Sequence, residues 1–322
     1  MTESLPQKTR VAVVLPCYRV LPHIQKTLAG IGPEVWRIFV VDDACPDQSG
    51  DFVKRHCRDP RIKVLYHEKN QGVGGAVLTG YQAALDAGAD IIVKLDGDGQ
   101  MDPGLVTDVI APIVAGEADY TKGNRFFDPE GVRTMPRLRL FGNAVLSLMT
   151  KLSSGYWNLF DPTNGYTAIH ARVARRLPFH KISKGYFFET DILFRLNTLR
   201  AVVMDVPMNA RYGTEKSNLK VSRILGEFLF KHLRNFLKRI FYNYYLRDMS
   251  LASLELPLGV FFFFSGGFYG ACHWARSSQA GVVTPAGTVM LSVMLIVIGL
   301  QFVMAFLAYD IASVPNRPLT SS

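Results

Sequence analysis

The chain has 322 residues, 48% of them hydrophobic and 20% charged, and 36 Lys and Arg against 27 Asp and Glu give it a net charge of +9. This length and composition exclude a disordered or fibrous protein and allow one sizeable core with extra segments. The four cysteines (Cys17, Cys45, Cys57, Cys272) form no Cys-x-x-Cys pair and no metal-like grouping with the seven histidines, which points to a reduced, cytosol-facing body.

In chain order, the N-terminus runs straight into the strand-like residues 10–15 without a long apolar stretch, so no cleavable signal peptide is expected. Further strand-like runs fall at 35–41, 62–67, 90–95 and 201–207, with helical patterns such as 75–88 between the earlier ones. Short apolar strands separated by helices predict an α/β fold with a largely parallel sheet covered on both faces. Ligands of such sheets bind outside the carboxyl ends of the strands. Three polar clusters follow strand ends, "PCYRV", "DDACPDQSG" and "DGDGQ", and are expected to converge on one crevice.

The stretch "KLDGDGQMDPG" places Asp96, Asp98, Gln100 and Asp102 at alternate positions after a buried-strand pattern. An EF-hand loop needs Gly at its sixth position and Glu at its twelfth, and here these are Met101 and Thr107. Asp102, just before Pro103, is expected to cap a helix. Two glycine-rich readings of "NQGVGGAVLTG" also fail. It does not follow the first strand as a dinucleotide fingerprint would, and Tyr81 stands where a phosphate loop needs Lys.

Toward the C-terminus, residues 220–247 carry seven Lys or Arg beside an apolar stripe at helical spacing, including Val221, Ile224, Leu225, Phe228, Phe236, Leu237, Ile240, Phe241 and Tyr244. This predicts a helix on a membrane surface; the alternative is a core-packed helix with a solvated basic face. Residues 256–274 and 286–309 contain no Asp, Glu, Lys or Arg. As helices they predict a two-span hairpin, the shorter reaching about 28 Å at ~1.5 Å per residue. Lys and Arg crowd the segment before the first span, whereas only Arg276 falls between the spans, so both termini are expected on the cytoplasmic side. The positive charge then needs no nucleic acid to explain it.

The motifs "LPCYRV", "FVVDDACPD", "NQGVGGAVLTG", "KLDGDGQMDP", "KGNRF", "DPTNGYTAIH" and "RYGTEKSNLK", in this order, resemble those of family 2 glycosyltransferases. The likeness is to the polyprenyl-phosphate hexosyltransferases related to dolichyl-phosphate mannose synthase. It covers roughly residues 10–225, and the hairpin resembles that of bacterial members. It implies a GT-A catalytic domain over 1–215, a juxtamembrane segment over 216–250, two spans within 251–312 and a tail at 313–322. It further implies a bacterial cytoplasmic-membrane protein and a homo-oligomer, a tetramer in bacterial relatives.

The resemblance also assigns roles. A nucleotide sugar, UDP- or GDP-linked, would bind at Pro16, Tyr18, Asp42 or Asp43 and Asp96. Asp96 and Asp98 match the Asp-x-Asp motif, and with Gln100 they would hold Mg²⁺ or Mn²⁺, cations that take oxygen ligands. The acceptor would be a polyprenyl phosphate, already anionic and needing positioning cations instead of a general base. Arg125, Arg139, Arg211 and Lys216 are the candidates for holding it. Asp161 lies in the acceptor-side loop, and Glu189 and Asp191 stand where hydroxyl-using relatives place a base. Transfer would invert the anomeric centre. Alternatives are transfer to a glycan or lipid hydroxyl with Glu189 or Asp191 as base, and a non-catalytic nucleotide-sugar-binding membrane component. Arg19 and Val20 depart from the Asn-Glu common in the family, and the processive Gln-x-x-Arg-Trp signature is absent.

Overall fold

A computed structural model describes residues 9–127, 137–161, 164–208 and 221–320, with backbone alone at 137–139 and 221–225. Seven strands, β1 (Val11–Cys17), β2 (Val35–Asp42), β3 (Ile62–Tyr66), β4 (Ile91–Lys94), β5 (Tyr120–Asn124), β6 (Thr167–His170) and β7 (Val203–Pro207), form one sheet in the order β3-β2-β1-β4-β6-β5-β7. The helices are α1 (Leu21–Ala29), α2 (Ser49–His56), α3 (Val73–Asp86), α4 (Val106–Val114), α5 (Arg137–Ser154), the short α6 (Ala171–Ala174), α7 (Phe188–Leu199), α8 (Val221–Phe241), α9 (Leu251–Gln279) and α10 (Ala286–Ala312).

β1 pairs in parallel with β2 and β4, and β2 with β3, whereas β6 runs antiparallel to both β4 and β5. All seven residues of β1 are buried, which is why it reads as an unbroken apolar run. Val13, Leu15, Val40, Val93 and Ile24 belong to the core they share. Each such side chain stabilises the fold by about 1.5–3 kcal/mol relative to exposure. The four parallel strands at 11–17, 35–42, 62–66 and 91–94 match the sequence expectations, as does β7. β5 and β6 were not anticipated.

The chain divides into two compact units, Met1–Phe236 with Pro315–Ser322, and Leu237–Val314. The C-terminal segment therefore belongs to the same unit as the sheet. Its attachment is Asp119, fully buried, which accepts from Val202 N (2.8 Å), Leu319 N (2.9 Å), Thr320 N (3.2 Å) and Thr320 Oγ1 (3.1 Å).

In the first unit, α8 packs on the body through Phe228, which belongs to the predicted apolar stripe, and through His232 and Asn235, which do not. Ser153 Oγ lies 2.8 Å from His232 Nδ1, and Asn235 Nδ2 donates to Asp191 Oδ1 at 2.9 Å. Phe187 meets both Phe228 and His232 edge-on. Leu229, Phe230 and Leu233 remain exposed. The buried face thus carries polar side chains because each finds a partner, and a second, apolar face is left outward.

In the second unit, α9 and α10 exceed the predicted spans at both ends or at one, and only 22% and 17% of their apolar stretches is buried, unlike core helices. They meet where side chains are smallest. A Cβ on Gly266 would come within 3.0 Å of Ser292 O, and one on Gly259 within 3.0 Å of Gly299 O. Ser292 Oγ donates to Gly266 O at 2.8 Å. Small residues and an interhelical hydrogen bond are what hold helices together in lipid. Pro257 lies inside α9 without an N–H for the Ser253 carbonyl four residues back, and Tyr245 OH donates to that carbonyl at 2.8 Å. Arg276 sits in the last turn of α9, so the connection at 280–285 carries no charge.

Candidate functional site

Parallel strands β1, β2 and β4 end on one edge of the sheet, and the three polar clusters follow them. They open onto a cleft of about 490 Å³ lined by Pro16, Cys17, Tyr18, Val20, Asp43, Asn70, Gly72, Val73, Ala76, Asp96, Gly97, Asp98, Gly185 and Tyr186. Pro16, Tyr18, Asp43, Asp96 and Asp98, all named from sequence, are brought together here. Tyr18 is exposed, with the Arg19 guanidinium 5.5 Å from its ring centre. Arg19 itself adopts φ +58°, a conformation uncommon outside glycine.

The neighbouring Asp42 and Asp43 are both buried but do different things. Asp42 accepts from Cys45 N (2.7 Å) and Gly50 N (2.6 Å), so its two oxygens close the loop into α2. Asp43 accepts from Gln71 N and Gly72 N at 2.8 Å each, and its Oδ1 lies 2.7 Å from His67 Nδ1. It ties the end of β2 to the loop before α3 and still lines the cleft. Gly72, at φ +85°, permits that loop.

After β4 the backbone delivers Asp96 and Asp98 to the cleft and Gln100 beside them, with Gln100 N donating to Asp98 Oδ1 at 3.0 Å. Asp102 accepts from Gly104 N at 3.0 Å and starts the 3₁₀ turn Pro103–Leu105, as anticipated. Lys94 was missed. It is buried at the end of an apolar strand, with Nζ 2.8 Å from Asp96 Oδ1, 3.3 Å from Glu189 Oε1 and 3.1 Å from Gly165 O, to which it donates. Burial works against its charge, but the two carboxylates outweigh this and hold the ammonium protonated. A lysine in an otherwise apolar strand was the available signal, because a buried charge requires a partner.

These residues fit a divalent cation. Asp96 Oδ1 is buried and accepts no aligned hydrogen bond, although the Lys94 ammonium lies close as an ion pair. The set offered by Asp96, Asp98 and Gln100 is all oxygen, the chemistry of Mg²⁺ or Mn²⁺ sites completed by substrate phosphates. Among the described residues no three His, Cys, Asp or Glu side chains gather into a self-sufficient metal cage.

Beside the cleft, the loop before β6 is fixed by cations. Arg125 grips the fully buried Asp161 through Nε (2.8 Å) and Nη2 (3.0 Å), and its backbone N–H adds a third contact at 3.2 Å. Burial opposes ionisation of Asp161, yet the Arg125 hydrogen bonds and charge hold its carboxyl below the ordinary range. Lys122, buried on β5, donates to Asn164 O, and burial pulls its ammonium down to about 8 against the pull of Asp161. Thus two successive loop carbonyls, Asn164 and Gly165, are each held by a buried lysine. Lys122 was also missed from sequence.

Glu189, on α7, reaches Lys94 from the far side. Asp191 does not reach the cleft, being fully buried between Ser183 N (2.8 Å) and Asn235 Nδ2 (2.9 Å), with Arg195 at 3.4 Å. The side chain of Arg139, and Arg211 and Lys216, lie outside the described residues.

The chain matches the family model described as Glycosyl transferase family 2 over residues 12–178. It is 32% identical over 203 residues to the undecaprenyl-phosphate mannosyltransferase of Micrococcus luteus, covering 62% of this chain and 82% of that one. It is 27% identical to the UDP-N-acetylglucosamine–dolichyl-phosphate N-acetylglucosaminyltransferase of Methanococcus voltae, covering 67% and 90%. Its fold is similar to the glucosyl-3-phosphoglycerate synthase of Mycobacterium tuberculosis crystallised with Mn²⁺, UDP and glucosyl-3-phosphoglycerate, at TM-score 0.54 and 19% identity, covering 72% and 80%. That likeness supports the GT-A architecture expected from the motifs. A family match over more than half the chain, together with the sheet-edge cleft, establishes this protein as an enzyme of glycosyltransferase family 2.

Proposed function

We propose that the enzyme transfers one hexosyl unit, with inversion, from a UDP- or GDP-sugar to a polyprenyl phosphate at the cytoplasmic face of a bacterial inner membrane. The observation that carries the acceptor class is the state of the two carboxylates considered as bases. Glu189 is paired with Lys94, and both oxygens of Asp191 accept hydrogen bonds away from the cleft. A hydroxyl acceptor needs such a base, whereas a phosphate brings its own negative oxygen. The names of the Micrococcus and Methanococcus relatives support a lipid-phosphate acceptor, and they differ in sugar.

In this reading Tyr18 and Asp43 frame the nucleoside end of the cleft, and Asp96, Asp98 and Gln100 hold Mg²⁺ or Mn²⁺. The bound cation would offset the charge on the departing diphosphate. Asp161, locked by Arg125, fixes the loop that presents the acceptor. Arg139, Arg211 and Lys216 are proposed to meet its phosphate, whose oxygen attacks the anomeric carbon opposite the leaving group. Two apolar helices with an uncharged connection and a basic segment before them support a hairpin with both ends cytoplasmic. Resemblance supports a homo-oligomer.

The test incubates membranes holding the protein with labelled nucleotide sugars, polyprenyl phosphate and either Mn²⁺ or EDTA, followed by organic extraction. Metal-dependent label in an acid-labile lipid is the expected result. Label confined to a polar glycan would overturn the acceptor assignment, and no transfer with intact nucleotide-sugar binding would favour a non-catalytic binder.

A further inference from the structure

We propose that Lys94 is the resident counter-ion of Asp96, which gives up the ammonium only when a divalent cation arrives together with a diphosphate. The inference rests on the reading of Asp96 and Asp98 as the donor metal site.

Lys94 ends β4 after Ile91, Ile92 and Val93, and its side chain is 1% exposed. An ammonium so placed is sustained only by its partners. Those partners come from three directions: Asp96 from the cleft side at 2.8 Å, Glu189 from α7 at 3.3 Å and the Gly165 carbonyl from the acceptor-side loop at 3.1 Å. Two carboxylates share one ammonium, so Asp96 can turn to another cation without stranding Lys94, which stays on Glu189 and Gly165.

The approach is close by construction. A Cβ on Gly165 would land on Lys94 Nζ and Asp96 Oδ2, so glycine is what lets the loop carbonyl reach the pair. A positive charge this near Asp96 opposes a bare divalent cation, because like charges repel and the Lys94 ammonium is itself shielded from water. A diphosphate brings enough negative charge to restore the balance. Lys94 therefore couples metal retention to donor binding, and Gly165 links that state to the acceptor-side loop. Lys94 acts as a positioning residue, through Asp96.

The experiment titrates Mn²⁺ into full-length, detergent-solubilised protein, reading free Mn²⁺ by electron paramagnetic resonance, first alone and then with UDP or GDP. Lys94→Met is expected to bind Mn²⁺ alone at least about tenfold more tightly than the native enzyme, and Lys94→Arg to match the native enzyme. General structural damage would weaken binding instead. Should Lys94→Met fail to show a folded melting transition, Lys94→Met/Glu189→Gln is compared with Glu189→Gln, and the same tightening is expected. Equal or weaker Mn²⁺ binding in these comparisons overturns the counter-ion role alone. Failure of the native enzyme to bind Mn²⁺ even with UDP or GDP overturns the donor-metal reading, and this inference with it.

Discussion

Arg239 and Asp310 form a two-pronged ion pair across 71 residues, Nη1 to Oδ1 at 2.6 Å and Nη2 to Oδ2 at 3.0 Å, with both side chains 1% exposed. Tyr244 OH donates to the same carboxylate at 2.6 Å, so the end of α8 is fastened to the end of α10. Removing one partner strands a buried charge, which costs about 3–5 kcal/mol. Arg239→Ala should therefore inactivate the detergent-solubilised protein at a clearly lower temperature, and Arg239→Met/Asp310→Leu should recover most of the loss. An unchanged inactivation temperature for Arg239→Ala would show that the pair is dispensable.

Asp98→Ala should abolish turnover while the protein stays in the membrane fraction, because one of the two cleft carboxylates proposed to hold the cation is lost. EDTA should do the same to the native enzyme, and added Mn²⁺ or Mg²⁺ should reverse only the EDTA effect. Measurable transfer by the variant at saturating Mn²⁺ would remove Asp98 from the metal set.

Gly165→Ala probes the contact of the loop before β6 with Lys94 and Asp96. The added methyl displaces Lys94 or Asp96, and a displacement of about 1 Å can cost ~10²-fold in rate. The expected result is a fall of that order in kcat with a nearly native melting temperature. Equal losses in stability and activity would mark the glycine as a folding requirement.

Asp205 gives a pH signature. Burial pushes its carboxyl up to about 6, more than the Phe160 N–H, the Lys122 charge and Asn124 pull it down, and its Oδ1 is buried without a hydrogen bond. The folded chain therefore binds the extra proton between about pH 4 and pH 6. The stability from this group is full below about pH 4 and is lost as pH rises through 6. Asp205→Asn should raise stability by about 1–3 kcal/mol at pH 7 to 8, a gain that fades toward pH 4. Melting curves of both proteins across that range check it; a gain independent of pH would reject the assignment.

Gly299→Leu should separate α9 from α10. The new Cβ would meet Phe263 N and come within 2.8 Å of Gly259 O, both backbone atoms that cannot rotate away. Overpacking of this kind costs about 1–3 kcal/mol. Differential scanning of the solubilised protein should show a lowered transition, whereas Gly267→Leu, at a position with open space, should leave it in place.

How much the amino-acid pattern revealed depended on where the charges ended up. Strands β1 to β4 and the two long helices were legible because apolar runs dominate them. β5, "YTKGN", was not, since it is entirely buried yet carries Thr121, Lys122 and Asn124, whose partners lie on other elements. β6 has only four residues and reverses direction, which no local periodicity encodes. In the site, Asp96 and Asp98 were legible as a motif, but Lys94 and Lys122 hid in strands. The difference between Asp42 and Asp43 depends on backbone N–H groups from the loops at 45–50 and 71–72, and adjacency in sequence says nothing of it. The α8 pattern misled in one respect, because His232 and Asn235 are buried through hydrogen bonds that a hydrophobic stripe does not register.

Asp119 sets an order on biosynthesis. Its carboxylate, at the start of β5, waits for Leu319 and Thr320, made 200 and 201 residues later. The chain is made from its N-terminus, so these hydrogen bonds form only after both α9 and α10 have been synthesised. Until then the Asp119 carboxylate has Val202 N as a partner and lacks the three hydrogen bonds from Leu319 and Thr320, so completing the sheet unit waits on a segment that lies beyond both apolar helices.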